Sequence, residues 1–157
     1  MDFSELNKSR RSIRDFKPDP IPQNLLDEIL RDALWSPSWS NTHPYYLKVV
    51  TGEKLELIKN DYLKLFDQAW PLMNGNLWQK IKLVVFRKGF PDGDFRTIFK
   101  YPHILQKRRV KTGKAIYDFL GIKKDDKKGK ELSWRRNFEF FGAPVVMFLF
   151  VHKSLKT

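Results

Sequence analysis

The stretch APVVMFLFV (Ala143–Val151) is apolar at every position. A strand of this pattern has no face to give to water. It predicts a place in the middle of a layered sheet, covered on both sides. The run is too short to span a bilayer as a helix, which takes about 20 apolar residues. Two other runs are candidate strands. YYLKVVTG (Tyr45–Gly52) is aromatic and β-branched and ends at Thr51-Gly52. IKLVVF (Ile81–Phe86) reads equally as a short strand or a turn of helix, because periodicity does not separate the two in so short a run.

Helices are expected around these strands. FSELNKS (Phe3–Ser9) reads as a short helix with Phe3 and Leu6 on one side. In IPQNLLDEILRDALW (Ile21–Trp35), Leu25, Leu26, Ile29, Leu30, Ala33 and Leu34 form one apolar stripe. Pro22 suits its first turn and Pro37 helps stop it. EKLELIKNDYLKLFDQAW (Glu53–Trp70) is amphipathic, with Leu55, Ile58, Tyr62, Leu65 and Phe66 facing inward. Pro71 to Pro102 reads as a long irregular excursion, with FPDGDF (Phe90–Phe95) as a turn. YPHILQKRRVKTGKAIYDFLG reads as a helix ended by Gly121, and KKDDKKGKELSWRRNFEFFG as another ended by Gly142.

The chain has 157 residues, 41% hydrophobic and 15% aromatic, which predicts one domain over 1–157 and argues against disorder. It has no cysteine, so disulfides, thiolate nucleophiles and cysteine zinc sites are excluded. The N-terminus has no apolar core of a secretory signal, and a cytoplasmic location is expected. The net charge is +12, with thirteen Lys/Arg and four Asp/Glu between Lys100 and Arg136. That raises the case for a basic nucleic-acid-binding module, yet no recognised nucleic-acid motif is present. His43, His103 and His152 form no metal-ligand spacing, so no metal site is expected. No Walker A loop, Rossmann fingerprint or nucleophile elbow occurs. Without such groups, side chains are not expected to be catalytic themselves, and an enzyme of this kind depends on a cofactor.

Three segments remain. RRSIRDF (Arg10–Phe16) sets guanidinium forks and a hydroxyl close together, a donor set suited to phosphate oxygens. SPSWSNTHPYY (Ser36–Tyr46) mixes small hydroxyls, an amide and aromatics, which suits the polar edge of a planar ring; it also suits an ordinary turn. In RRNFEFFGAP (Arg135–Pro144), Phe138 and Phe141 are three apart and would share a helical face.

Taken in order, the first two segments resemble the N-terminal part of the nitroreductase family of flavoenzymes. The family pattern starts Arg-Arg-Ser-x-Arg-x-Phe, matched by Arg10, Arg11, Ser12, Arg14 and Phe16. A helix follows, then a Pro-Ser-x-x-Asn loop, matched by Pro37, Ser38 and Asn41. Trp39 stands where the family usually has Gly or Ser, His43 where it has Gln, and Tyr45 where it has Trp. The later KRRVKTGKAIYDFLGI and RRNFEFFGAPV resemble one branch of the family. The resemblance implies an α+β fold, a nitroreductase-like central mixed sheet flanked by helices, with FMN at the interface of an intertwined homodimer. Arg10, Arg11, Ser12 and Arg14 would contact the FMN phosphate, ribityl chain and nearby ring atoms. Pro37, Ser38, Trp39 and Asn41 would approach the isoalloxazine from the other subunit. The implied reaction passes a hydride from NAD(P)H through flavin N5 to a nitroaromatic or quinone-like small-molecule acceptor, with no specific nucleic acid and no membrane involved. Family chains continue past the central strand, whereas this one stops at VHKSLKT. The expectation is therefore an incomplete copy, C-terminally truncated, with weak FMN retention or a non-catalytic role.

Overall fold

The structure is a computed structural model and describes residues 2–85 and 101–155. The order of elements is α1 (Phe3–Ser9), α2 (Gln23–Leu34), β1 (Tyr45–Thr51), α3 (Gly52–Asn74), α4 (Leu77–Val85), α5 (His103–Phe119), α6 (Lys127–Phe138) and β2 (Val145–Val151). The chain forms two compact units. One holds the residues up to Asn60 and those from Glu139 onward; the other is Asp61–Phe138.

In the first unit, β1 and β2 pair antiparallel, with Tyr45 opposite Val151 and Thr51 opposite Val145. Among the described residues these two strands make up the sheet. The fold is α+β as expected, but the apolar strand is only half covered. Val145 to Phe148 are partly buried, Phe148 meeting the Phe140 ring edge-on at 5.9 Å. Leu149, Phe150 and Val151 are 65%, 53% and 55% exposed. The reason is the strand count: a two-stranded ribbon leaves each strand an outer edge and offers little apolar surface to pack on.

α1 begins at a reciprocal cap. The Asp2 carboxylate accepts from the Ser4 and Glu5 amides at 2.6 and 3.0 Å, and Glu5 returns a bond to the Asp2 amide. Pro22 stands just ahead of α2, where its missing N–H costs nothing. The α2 stripe buries Leu26, and Leu55 in the first turn of α3 is 1% exposed. Both line a hollow of about 470 Å³ with Pro18, Ile21, Pro144 and Val145. Each such leucine contributes roughly 1.5–3 kcal/mol.

In the second unit the expected break at Pro71 does not occur. α3 runs on to Asn74 although Pro71 has no N–H for the Asp67 carbonyl. Aromatic packing holds the helix there: Phe66 lies 5.0 Å from Phe138 and 5.2 Å from Trp70. Arg135 ties the same turn through an ion pair to Asp67 and lies over the Phe66 ring. Tyr62 and Leu65, expected inward, are 37% and 57% exposed.

The ambiguous Ile81–Val85 run is helical, as part of α4, so much of the expected irregular excursion is ordered. Its residues 86–100, including FPDGDF, lie outside the described residues. α5 stops as expected, Gly121 taking a φ of +68° just past its end. α6 ends earlier than expected, at Phe138. Phe140 and Phe141 follow with φ of +51° and +54°, so Phe141 does not share a helical face with Phe138.

Candidate functional site

The two candidate segments both belong to the first unit. Residues Arg10–Phe16 are exposed and without regular structure. The hydrogen bonds of the Arg10 and Arg11 side chains are local. Arg11 Nη1 donates to the carbonyls of Lys8 at 2.7 Å and Arg10 at 3.0 Å, closing off the C-terminus of α1 where a cation is favoured. Arg10 Nη1 reaches Ser12 Oγ at 3.4 Å. Among the described residues no carboxylate neutralises Arg10, Arg11 or Arg14. The segment is fastened at its far end, where the Phe16 amide donates to the Phe141 carbonyl at 3.2 Å.

The loop between α2 and β1 is built differently. Ser40, Asn41 and His43 all have left-handed backbone, φ +50°, +53° and +42°. Such residues cost about 1 kcal/mol or more each and persist only where neighbours hold them. Here the neighbours are hydrogen bonds. The Asn41 amide donates to the Ser38 carbonyl at 3.0 Å, and Thr42 Oγ1 to the Trp39 carbonyl at 2.9 Å. The His43 amide donates to Ser38 Oγ at 2.9 Å. The His43 ring bridges Asn41 Oδ1 at 2.7 Å and the Tyr45 hydroxyl at 2.9 Å. Pro44 fastens the end, its carbonyl accepting from the His152 amide at 2.9 Å.

This pattern has a chemical consequence. Several of the loop's acceptors are engaged internally, while among the described residues no acceptor takes the Ser38 hydroxyl proton or the Asn41 Nδ2 protons, which leaves them as donors. Trp39 adds a flat indole that is 90% exposed. Among the described residues no hydrogen bond or ion pair joins the arginines of the first segment to the loop. The loop leads into the Tyr45 end of the ribbon, and Phe16 is anchored just before its Val145 end. Six strand steps separate those ends, about 20 Å. Pro37, expected at the site, lies in the bend between α2 and the loop.

The described residues have local likenesses well beyond these two loops. A family model, the nitroreductase family, matches residues 8–156. The chain belongs to the nitroreductase family.

It is 33% identical to a 4-nitrobenzoate reductase of Pseudomonas putida over 99% of this chain and 60% of that one. It is 28% identical to nitroreductase NfnB of Mycolicibacterium smegmatis, over 92% of this chain and 54% of the relative. In structure it resembles the FMN and NADPH-dependent nitroreductase NfnB from sphigopyxis sp. strain HMH, with a TM-score of 0.74, 30% identity, and coverage of 99% of this chain and 62% of the other. This family member thus spans about 60% of the length of such relatives.

The residues present in this nitroreductase-family chain fit an FMN chemically. A phosphate takes cations and hydroxyl donors, which Arg10, Arg14 and Ser12 offer. The isoalloxazine presents ring nitrogens and carbonyl oxygens as acceptors, matched by the outward donors of Ser38 and Asn41. Sequence reading did not place His43 and Tyr45 in the site. Their signal was present in the spacing Asn-x-His-x-Tyr, but spacing alone does not reveal a bridging ring.

Proposed function

We propose that the chain is an FMN-dependent oxidoreductase that moves a hydride from NAD(P)H to nitroaromatic or quinone-like acceptors. The observation that carries this reading is the α2–β1 loop, whose bonded acceptors leave Ser38 and Asn41 as outward donors. Bound FMN would supply the two-electron chemistry, which the side chains do not. Arg10, Arg11, Ser12 and Arg14 hold the phosphate end by charge-assisted bonds. Pro37, Ser38, Trp39 and Asn41 orient the ring and screen one face of it from water. The two groups are fastened toward opposite ends of the ribbon within one chain. A homodimer in which each chain lends its loop to the other's arginines satisfies that separation. The absence of cysteine agrees with a cytoplasmic setting, and no helix among the described residues is long and apolar enough to cross a membrane.

The test is a titration of FMN fluorescence with the purified chain, followed by NADPH oxidation with 4-nitrobenzoate as acceptor. Quenching at micromolar chain and acceptor-dependent oxidation are expected. The absence of both quenching and acceptor-dependent oxidation would refute the reading.

One observation favours a second, weaker reading. α5 carries Lys107, Arg108, Arg109, Lys111 and Lys114 against one acid, Asp118. Lys107, Lys111 and Lys114 line one face with His103 and Val110. Such a stripe suits non-specific contact with a polyanion, and a salt-sensitive gel shift with duplex DNA tests it.

A further inference from the structure

The hydrogen bonds around His43 determine more than the loop's shape. Asn41 Oδ1 is a carboxamide oxygen and only accepts, so the nitrogen 2.7 Å from it must donate. That assigns the proton to His43 Nε2. In the neutral ring Nδ1 then accepts, and the Tyr45 hydroxyl 2.9 Å away supplies the donor. With its oxygen held, the Asn41 carboxamide has one orientation, and its Nδ2 protons face away from His43. The His43 amide does the same for Ser38, occupying an Oγ lone pair at 2.9 Å and leaving the hydroxyl proton.

We infer that His43 is a positioning residue: as the Nε2–H tautomer, buttressed by Tyr45, it orients the Asn41 carboxamide as a donor toward an acceptor-rich planar ring. The inference rests on the FMN reading above for the identity of that ring. The left-handed backbone at Asn41 and His43 fits this role, because the bridge holds two residues in a conformation they would otherwise leave. A histidine bridge is also polar in one sense. Its donor faces Asn41 and its acceptor faces Tyr45; a flipped amide would set N–H against N–H unless the ring changed to the Nδ1–H tautomer with the Tyr45 hydroxyl accepting, so ring tautomer and amide orientation report on each other. A glutamine at this position carries both a donor and an acceptor and can make the same bridge.

The experiment has two readouts. Long-range proton–nitrogen NMR of the full chain near pH 8 reads the ring directly. A protonated Nε2 with a bare Nδ1 is expected, and the opposite tautomer or an even mixture overturns the inference. FMN affinity, from fluorescence quenching, is then measured for H43A, H43Q, N41A and the double variant H43A/N41A. H43A is expected to weaken binding about five- to tenfold, the scale of one lost hydrogen bond. H43Q should stay within about twofold of the parent. In the N41A background the further loss from H43A should vanish, because His43 acts through Asn41. Additive losses, or an H43A chain that binds like the parent, overturn the inference. If the parent chain does not quench FMN at all, the cofactor reading fails, and His43 is judged on the Asn41 Nδ2 resonances instead. They must shift in H43A and return in H43Q; unchanged resonances overturn the inference on their own.

Discussion

The arginine segment and the α2–β1 loop are both short, polar and exposed, yet they are organised in opposite ways. Arg10–Phe16 has no regular structure, and the hydrogen bonds of its arginines are to residues beside them. Ser38–Tyr45 is cross-linked by side-chain bonds through Ser38, Asn41, His43 and Tyr45 and holds three left-handed residues in place. Charge does not need precise preorganisation to act, since Coulomb attraction is long-ranged and guanidinium stems are flexible. A donor meant for one atom of a ring does need it. The difference therefore separates a segment that supplies affinity from one that supplies orientation.

The largest expected effect removes the support of both. Leu55→Ala should cost about 2–5 kcal/mol of stability by opening a cavity beneath the ribbon, read by chemical denaturation. A loss below about 1 kcal/mol would show that the segments do not depend on this shared core. Next, Arg10→Ala with Arg14→Ala should weaken FMN binding about 100-fold and flatten its salt dependence. If the double variant kept nearly full affinity, the arginines would not be the affinity segment and the comparison would break. Smaller still, Asn41→Leu should weaken FMN about tenfold, at least as much as the loss of its His43 support, while leaving the salt dependence unchanged. A changed salt slope would blur the distinction between the two segments. The smallest effect has the opposite sign. Ser40→Gly relieves a left-handed residue and should stabilise the fold by up to about 1 kcal/mol, raising the melting temperature by roughly 2–4 °C. Ser12→Gly in the arginine segment has no such strain to relieve, so a gain there would sink the argument.

Much of the fold was legible because it is local. The stripe of α2, the β-branched run of β1 and the glycine after α5 each announce themselves within a few residues. The misreadings share one cause. Pro71 is a helix breaker by local rule, but Phe66, Trp70 and Phe138 pack across sequence distance and keep α3 going. Ile81–Val85 is no misreading: its pattern suits a strand or a turn of helix equally, and it lies within α4. Gly142 suggested the end of a helix, but α6 stops at Phe138 and a left-handed turn follows. In the site, arginine and serine types were legible from donor chemistry. The His43 bridge was not, because it exists only when the backbone turns at Ser40, Asn41 and His43 bring the Asn41, His43 and Tyr45 side chains together.

By itself the sequence determined most of the order of helices and strands, the family and the chemical character of both segments. These depend on residue type and short-range periodicity. The tertiary structure decided which acceptors the loop uses up and therefore which donors it presents. It also decided that the apolar strand pairs with β1 alone among the described residues, its last three residues left exposed. Both outcomes depend on where a backbone places groups in space, which no local pattern of residue types encodes.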